Sequence, residues 1–252
     1  ETVTNIASSI TSNKGNINLV ANNNINIKGS SLTSSLGDVD IAAGADVVIE
    51  SSEDTTYSKT NTETYGASIT LASTKASGGA IDNLTGGMLN YSRSSGYSAT
   101  ATNNNSTVTA ENGAINITSG SDTNIKGANI SGKDTNLTVG GDLNLASRQD
   151  ESESKSSGNS FGVGMSASGG KATGASGSYG RSSGYSYELW TKDQTSINGT
   201  GSVNINVAGN TDIKGAVIAN IDSDGTDQGN LSLATGSLSY SDLEDKSSSN
   251  SS

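Results

Sequence analysis

Cysteine, histidine and proline are absent from this chain of 252 residues, and each absence excludes a class of structure or chemistry. Without histidine, neither a Ser-His-Asp triad nor a histidine-ligated zinc site can form. Without cysteine there is no thiol nucleophile, disulfide or iron–sulfur centre. The lack of proline instead favours unbroken backbone pairing, because proline removes a hydrogen bond from a sheet. The sequence therefore predicts no catalytic residue and no cofactor.

Apolar and basic residues are also scarce. Only 31% of the residues are hydrophobic and 4% aromatic, and the net charge is −11. The acidic balance argues against nucleic acid and anionic membranes as partners. The chain has no run of about 20 apolar residues, which a membrane-spanning helix needs. Composition alone favours disorder, because such a chain buries too little apolar surface to offset its ordering entropy.

An internal repeat argues against disorder. Three anchor segments begin at glycine and close on Ile-Lys-Gly with the same spacing: GNINLVANNNINIKG (15–29), GAINITSGSDTNIKG (113–127) and GSVNINVAGNTDIKG (201–215). The octapeptide YSRSSGYS (91–98) returns as YGRSSGYS (179–186), at the offset that separates the second and third anchors. A unit of about 90 residues therefore repeats along the chain. A disordered chain would have no reason to keep this spacing.

Within each anchor, apolar residues alternate with Asn, Ser, Thr and Asp, which is typical of half-buried strands. The alternation returns roughly 20 residues later, where Leu137 and Val139 follow Ile115 and Ile117 in phase. This spacing predicts an all-β fold, a parallel β-helix (solenoid) whose coils need only a thin apolar interior. Asparagines at matching positions of successive coils are expected to form amide ladders.

The segments between the anchors have a different pattern. Alternation at 65–71 and 161–167 leads into glycine-rich stretches at 76–87 and 168–177, and the octapeptides follow. We interpret each segment as a β-hairpin arm inserted between coils. The predicted array then has solenoid coils at 1–50, 111–146 and 201–240, hairpin arms at 51–110 and 147–200, and the truncated start of a third arm at 241–252.

The octapeptides supply the candidate contact residues. Tyrosine and arginine are enriched in binding hot spots, so these side chains could form a partner-contact face. The alternative is that the tyrosines pair across a ribbon and serve only the structure. Trp190 either anchors the base of an arm or contacts a receptor. The candidate residues are Tyr91, Arg93, Tyr97, Tyr179, Arg181, Tyr185 and Trp190.

A metal-binding loop and an enzyme site are weaker alternatives. Asp222, Asp224 and Asp227 surround a glycine, but the closing glutamate of a calcium loop is missing, so a solvated acidic corner is favoured. Carboxylate pairs such as Glu151 and Glu153 would be needed for a polysaccharide-active β-helix enzyme. They lie in a serine-rich segment where no cleft is predicted, and we expect no enzyme.

The anchors and hairpin-like inserts together resemble the haemagglutinin repeats of filamentous-haemagglutinin-type exoproteins over essentially the whole chain. Among these, the arrangement most resembles the second repeat region of contact-dependent growth-inhibition effectors of the CdiA type. The resemblance implies a right-handed parallel β-helix exported by two-partner secretion, through the periplasm to the cell surface. It further implies a filament that supports passage of a toxin across the outer membrane of a target cell.

The partners implied are neighbouring repeats of the same exoprotein, and outer-membrane proteins or lipid of the target cell. An adhesin module that binds host or bacterial cell surfaces is the alternative function. A polysaccharide-active enzyme is a remote third.

Overall fold

Two sheets make up the fold. The computed structural model describes residues 1–72, 83–168 and 171–252, and the regular elements in these ranges are strands, which agrees with the all-β prediction. One sheet has 13 parallel strands and the other has six antiparallel strands. The predicted glycine-rich turns at 76–87 and 168–177 are wrong where the structure describes them, because 83–87 and 171–177 pair as strands. Residues 76–82 and 169–170 lie outside the described ranges. Within the described ranges, no helix is long and apolar enough to cross a membrane.

The strands are numbered in chain order. The parallel sheet contains β2 (Ser9–Ser12), β3 (Ile17–Ala21), β4 (Ile25–Lys28), β5 (Ser31–Ser34), β6 (Val39–Ala43), β7 (Val47–Glu50), β10 (Ser106–Ser119), β11 (Thr123–Lys126), β12 (Ala128–Val139), β13 (Leu143–Ala146), β16 (Ser196–Lys214), β17 (Val217–Ala219) and β18 (Leu231–Ser241). The antiparallel sheet contains β1 (Thr2–Val3), β8 (Ser52–Ala72), β9 (Asn83–Asn104), β14 (Asp150–Ser168), β15 (Lys171–Trp190) and β19 (Lys246–Ser251).

The parallel sheet is curled and built in layers, which is consistent with a β-helix. A layer is one pass of the chain along the curled sheet, and the registers place six layers on one another, beginning with β2, β5, β10, β12, β16 and β17. Equivalent side chains stack from layer to layer. One interior column runs through Ile27, Ile49, Ile125, Leu145 and Ile213. Because neighbouring layers cover each residue above and below, a thin apolar column suffices as a core.

Asparagines form the predicted ladder on the outside. The Nδ2 group of Asn116 donates to Oδ1 of Asp40 (2.8 Å), Asn136 donates to Asn116 (2.9 Å) and Asn204 donates to Asn136 (3.1 Å). Each amide therefore bonds to the layer next to it. This satisfaction of polar side chains explains how a serine- and asparagine-rich sequence folds with so little apolar content.

The predicted phase of one strand is wrong by two residues. Ile115 lies opposite Thr135 rather than Leu137, and Ile117 lies opposite Leu137 rather than Val139. The cause is the corner before this strand. In β10, pairing stops at Ala110 and resumes at Ala114, so three residues form the corner. In β12, pairing stops at Gly132 and resumes at Asp134, so only one residue forms it. The second paired segment of β12 therefore begins two residues earlier than the repeat predicts.

A second polar column marks a corner of the curled sheet. A backbone N–H of each layer donates to the side chain of the layer before it: Asp46 to Asn24 (3.0 Å), Asp122 to Asp46 (3.2 Å), Asp142 to Asp122 (2.9 Å) and Asn210 to Asp142 (2.7 Å). Three carboxylates therefore follow one another at layer spacing. Asn24, at the first position, accepts this hydrogen bond through its amide oxygen, so the corner requires an acceptor oxygen rather than a charge.

Three corner glycines close the anchors. Gly29, Gly127 and Gly215 have positive φ angles of 53°, 68° and 57°. This left-handed conformation disfavours residues with a Cβ atom, and a side chain on Gly127 would also meet the Ser51 hydroxyl group. The lysines that precede these glycines occupy alternate layers rather than one continuous row. Glu50 lies between Lys28 and Lys126 in the register.

The antiparallel sheet adds one strand for each layer. Its order is β1, β8, β9, β14, β15 and β19, so strands of successive repeats pair directly through β9 and β14. Strands in both sheets are spaced by about 4.8 Å, so the two sheets advance at the same rate. The four long strands extend roughly 65 Å at about 3.3 Å per residue.

Three aspartates join neighbouring strands at the base of this sheet. The equivalent hydrogen bonds run from the Asn5 N–H to Asp54 (2.7 Å), from the Asn103 N–H to Asp150 (2.7 Å) and from the Thr191 N–H to Asp245 (2.8 Å). The Asn5 amide holds the pKa of Asp54 below its usual 3.8. The Gln149 side chain, followed by the bonds from Thr191, lowers the pKa of Asp245. The three aspartates therefore hold each strand to the one before it.

Candidate functional site

The two faces of the antiparallel sheet differ in composition. Because side chains alternate along a strand, each face carries every second residue. One side, the serine face, carries rows of small polar residues such as Thr62–Ser94–Gly158–Ser182 and Thr64–Ser92–Ser160–Gly180. Several of its glycines lie against a serine hydroxyl of the neighbouring strand, for example Gly180 against Ser160.

The opposite side, the tyrosine face, is the candidate functional site. From the base towards the tip of the sheet it carries a lysine row (Lys59–Tyr97–Lys155–Tyr185), an arginine row (Glu63–Arg93–Asn159–Arg181), an aromatic row (Tyr65–Tyr91–Phe161–Tyr179) and two apolar rows (Ala67–Leu89–Val163–Gly177 and Ile69–Gly87–Met165–Ala175).

The structure places the two octapeptides on this one face. Tyr91 and Tyr179 flank Phe161 in the aromatic row. The two arginines flank Asn159 in the same way. The copies are separated by a single strand, β14, although they lie far apart in sequence. Trp190, the remaining aromatic candidate, is half-buried at the base, opposite Asp150.

Lys155 connects the two copies electrostatically. Its Nζ atom lies 5.6 Å from the ring centroids of both Tyr97 and Tyr185, within cation–π range. It also pairs with Glu153 at 2.7 Å. This hydrogen bond raises the pKa of Lys155 and lowers that of Glu153, so both groups keep their charge. Desolvation raises the pKa of the Tyr97 hydroxyl.

Charged and aromatic side chains also interact in the next rows. Arg93 pairs with Glu63 at 3.4 Å, and the Tyr65 hydroxyl lies 3.3 Å from the same carboxylate. The negative charge of Glu63 raises the pKa of Tyr65. The rings of Tyr65 and Tyr91 are 5.1 Å apart. No ion pair involves Arg181 in the described part of the chain.

The distal rows expose apolar side chains to solvent. The exposed fraction is 74% for Tyr65, 73% for Tyr179, 73% for Ile69 and 63% for Met165. A shallow groove of about 590 Å³ runs over the apolar rows. A contiguous apolar patch on a soluble protein usually marks a contact surface. Sequence reasoning missed the contribution of Phe161, because alternation identified its strand but not the strands beside it.

In the loop that was a weak candidate for metal binding, hydrogen bonds already occupy carboxylate oxygens of Asp222 and Asp227. Both carboxylate oxygens of Asp222 accept hydrogen bonds, Oδ1 from the Asp224 and Thr226 N–H groups and Oδ2 from Gln228. Asp227 accepts from the Gly229 N–H. Within the described ranges, no group of three or more acidic side chains is placed to hold a metal ion. The loop is therefore a hydrogen-bonded turn.

The family model described as Hemagglutinin repeat matches residues 1–158 and 151–252, and so covers the chain from end to end. The chain belongs to the hemagglutinin repeat family. This family is structural and adhesin-like rather than enzymatic, and it indicates a secreted or cell-surface exoprotein whose repeats associate with their neighbours. No curated protein and no solved structure matched the chain.

Proposed function

We propose that this chain is a segment of an exoprotein filament that supports contact-dependent toxin delivery across the outer membrane of a target cell, as in the CdiA-type effectors. In this proposal the curled parallel sheet is a section of a closed, right-handed β-helix. The antiparallel strands are its hairpin arms, with β8 and β9 in the first and β14 and β15 in the second. The tyrosine face is the surface that meets the target cell.

The two sheets have the same spacing per strand and per layer, which supports a filament. Each repeat contributes two layers and two long strands, so further repeats extend both sheets without a mismatch. The six layers span roughly 30 Å at about 4.8 Å each. A long exoprotein of such repeats would present a tyrosine face at regular intervals.

The exposed aromatic row is the single observation that carries the role in contact. Family members are structural and adhesin-like, and a purely structural sheet would gain nothing from exposing a row of aromatic rings on one face. Arg93 and Arg181 beside this row repeat the same chemistry in each arm. Repetition favours multivalent contact, in which several weak sites act together.

The experiment is a co-culture of target cells with bacteria that display the whole exoprotein. One variant changes the aromatic row to serine (Tyr65, Tyr91, Phe161 and Tyr179), and the other carries only Val20→Ser, which removes an exposed apolar side chain from the outside of the parallel sheet. We expect the first variant to be displayed normally and to lose toxin entry into target cells, and the second to deliver normally. Undiminished delivery by the first variant would contradict the proposal.

An adhesin function is the second candidate, and the same exposed tyrosines and arginines favour it. One measurement distinguishes the adhesin function from toxin delivery. If cells displaying the exoprotein adhere to their targets through the aromatic row but no toxin activity enters those targets, the adhesin function is supported and the delivery function is wrong.

A further inference from the structure

The rows of the tyrosine face follow a fixed order along the strands. The lysine and arginine rows hold four cations and one carboxylate, the aromatic row holds no charge, and the two apolar rows beyond it hold none. Rows of one face are about 7 Å apart. A lipid surface offers a partner to each kind of row: phosphates to the cations, an interface that favours tyrosine to the aromatic rings, and the acyl boundary to the apolar side chains.

We propose that the tyrosine face binds a phosphate-bearing lipid surface and lies flat on it without crossing it. The apolar rows and the aromatic row rest on the acyl boundary, and the lysine and arginine rows contact lipid phosphates. This inference deepens the proposed function. It depends on that function only for the identity of the cell that supplies the lipid. The binding itself is a property of this chain.

Charge complementarity selects an anionic surface over a neutral one. The chain as a whole has a net charge of −11. The lysine and arginine rows nevertheless gather four cations, Lys59, Arg93, Lys155 and Arg181. Two carboxylates neutralise two of them, Glu63 at Arg93 and Glu153 at Lys155. Lys59 and Arg181 make no ion pair in the described part of the chain. An anionic membrane attracts this face and repels the rest of the protein, so it orients the sheet as well as binding it.

The opposite face explains why the sheet should lie on the membrane rather than span it. The serine face is lined by hydroxyl groups, which would lose their water partners in hydrocarbon. A flat orientation leaves the serine face in water.

A second copy of the chain would also cover the apolar rows, but it fits the charges less well. Two tyrosine faces brought together would oppose cationic rows or leave Lys59 and Arg181 without anions. The lipid surface supplies the missing negative charge and the apolar contact together. Self-association in place of vesicle binding is therefore the competing result in the experiments that follow.

Vesicle co-sedimentation of the 252-residue chain tests the proposal. We expect binding to vesicles of phosphatidylcholine with phosphatidylglycerol, no binding to phosphatidylcholine alone, and release at high salt. Vesicles that contain a trapped dye should retain it, because the sheet does not span the bilayer. Equal binding to both vesicle types, no binding to either, or release of the dye would overturn the proposal.

Matched variants test which face binds. Tyr179→Ser and Val20→Ser remove apolar side chains that are 73% and 80% exposed, the first from the aromatic row and the second from the outside of the parallel sheet. Arg181→Gln and Lys192→Gln remove one exposed cation each, on and off the face. We expect about fivefold weaker binding for Arg181→Gln, since a cation near an anionic membrane contributes about that factor. Equal losses in the paired variants would overturn the assignment to this face.

A fluorescent probe reports contact without relying on loss of binding. Trp190 is the single tryptophan, so a variant with Trp190→Phe and Phe161→Trp places one tryptophan in the aromatic row. Its emission should shift to the blue on anionic vesicles, whereas the native Trp190 at the base of the sheet should not shift. An unshifted emission from the aromatic row, or a concentration-dependent dimer that forms in place of vesicle binding, would overturn the proposal.

The experiments distinguish a failure of the lipid inference from a failure of the proposed function. If vesicles do not bind but toxin entry depends on the aromatic row, the lipid inference is wrong and the function stands. If vesicles bind and toxin entry is independent of that row, the lipid inference stands and the proposed role in delivery is wrong.

Discussion

Replacing one isoleucine of the interior column should cost far more in the middle of the stack than at its end. Ile125 is fully buried, with Ile49 on one side and Leu145 on the other. Ile27 has the same role in the first layer and is 7% exposed, but the register gives it a neighbour on one side only, Ile49. The pair compares the same change, Ile→Ala, in the same type of strand.

The expected loss in the free energy of unfolding has two parts, the transfer of apolar carbons to water and the cavity that the substitution leaves. Removing three buried carbons costs about 2.4 kcal/mol at ~0.8 kcal/mol for each one. In the middle of the stack, the walls above and below hold the cavity open, so the total for Ile125→Ala should reach about 4 kcal/mol. The layer of Ile27 is paired on one side only, so its side chains can relax into the space left by Ile27→Ala, and the cost should stay at about 2 kcal/mol.

Urea unfolding followed by far-ultraviolet circular dichroism measures both losses in the free energy of unfolding. Val20→Ala is the control, because Val20 lies on the outside of the same sheet and is 80% exposed. It should change stability by less than about 0.5 kcal/mol. Equal costs for the two isoleucines, or a cost below about 1 kcal/mol at Ile125, would refute the view that layers support one another from both sides.

Three further outcomes follow from the corners and the base of the sheet. Asp122→Asn should stabilise the protein by about 1 kcal/mol in low-salt urea unfolding, because it keeps the acceptor and removes repulsion from two neighbouring carboxylates; destabilisation would contradict this. Asp54 and Asp245 have lowered pKa values, so their contribution is present above the unfolded pKa near 3.8 and is lost as pH falls through the folded pKa. Below about pH 4, β1 and β19 should therefore exchange amide hydrogens sooner than β9, and unchanged protection would refute this. Gly127→Ala should lower the thermal midpoint more than Gly225→Ala, since both have positive φ but only Gly127 faces a side chain; equal shifts would show that φ strain alone decides.

The sequence alone was enough to predict the interior of the parallel sheet. A two-residue alternation identifies buried strand positions directly, so the burial of residues such as Ile125 and Ile205 follows from the pattern. The register across a corner is harder, since it depends on the length of the corner. The polar Thr135 therefore takes the place expected of Leu137, and its hydroxyl is satisfied by the Asn198 carbonyl oxygen at 2.7 Å.

The candidate site was less accessible from sequence. Alternation identified the long strands, and the octapeptides identified a recurring element. Neither indicates which strands lie side by side. Lys155 is separated from Tyr97 and Tyr185 by many residues, and it meets both only because β14 pairs on each side with a strand from a different repeat. Contacts between repeats arise from tertiary pairing, which a single sequence does not encode in any local pattern.

The length of the repeat follows from the need to keep two sheets in step. A pair of antiparallel strands that leaves and rejoins the curled sheet always adds two strands to the second sheet. At about 4.8 Å per strand in both sheets, two strands match two layers and no other number. A repeat with three layers would open a gap of about 4.8 Å in the antiparallel sheet, and a repeat with one layer would crowd it by as much. Two layers of about 20 residues, two strands of about 20 residues and a short turn give about 90 residues, the period seen in the sequence. The tyrosine face is continuous across repeats for the same reason, because any other period would separate β9 from β14 and divide the aromatic row.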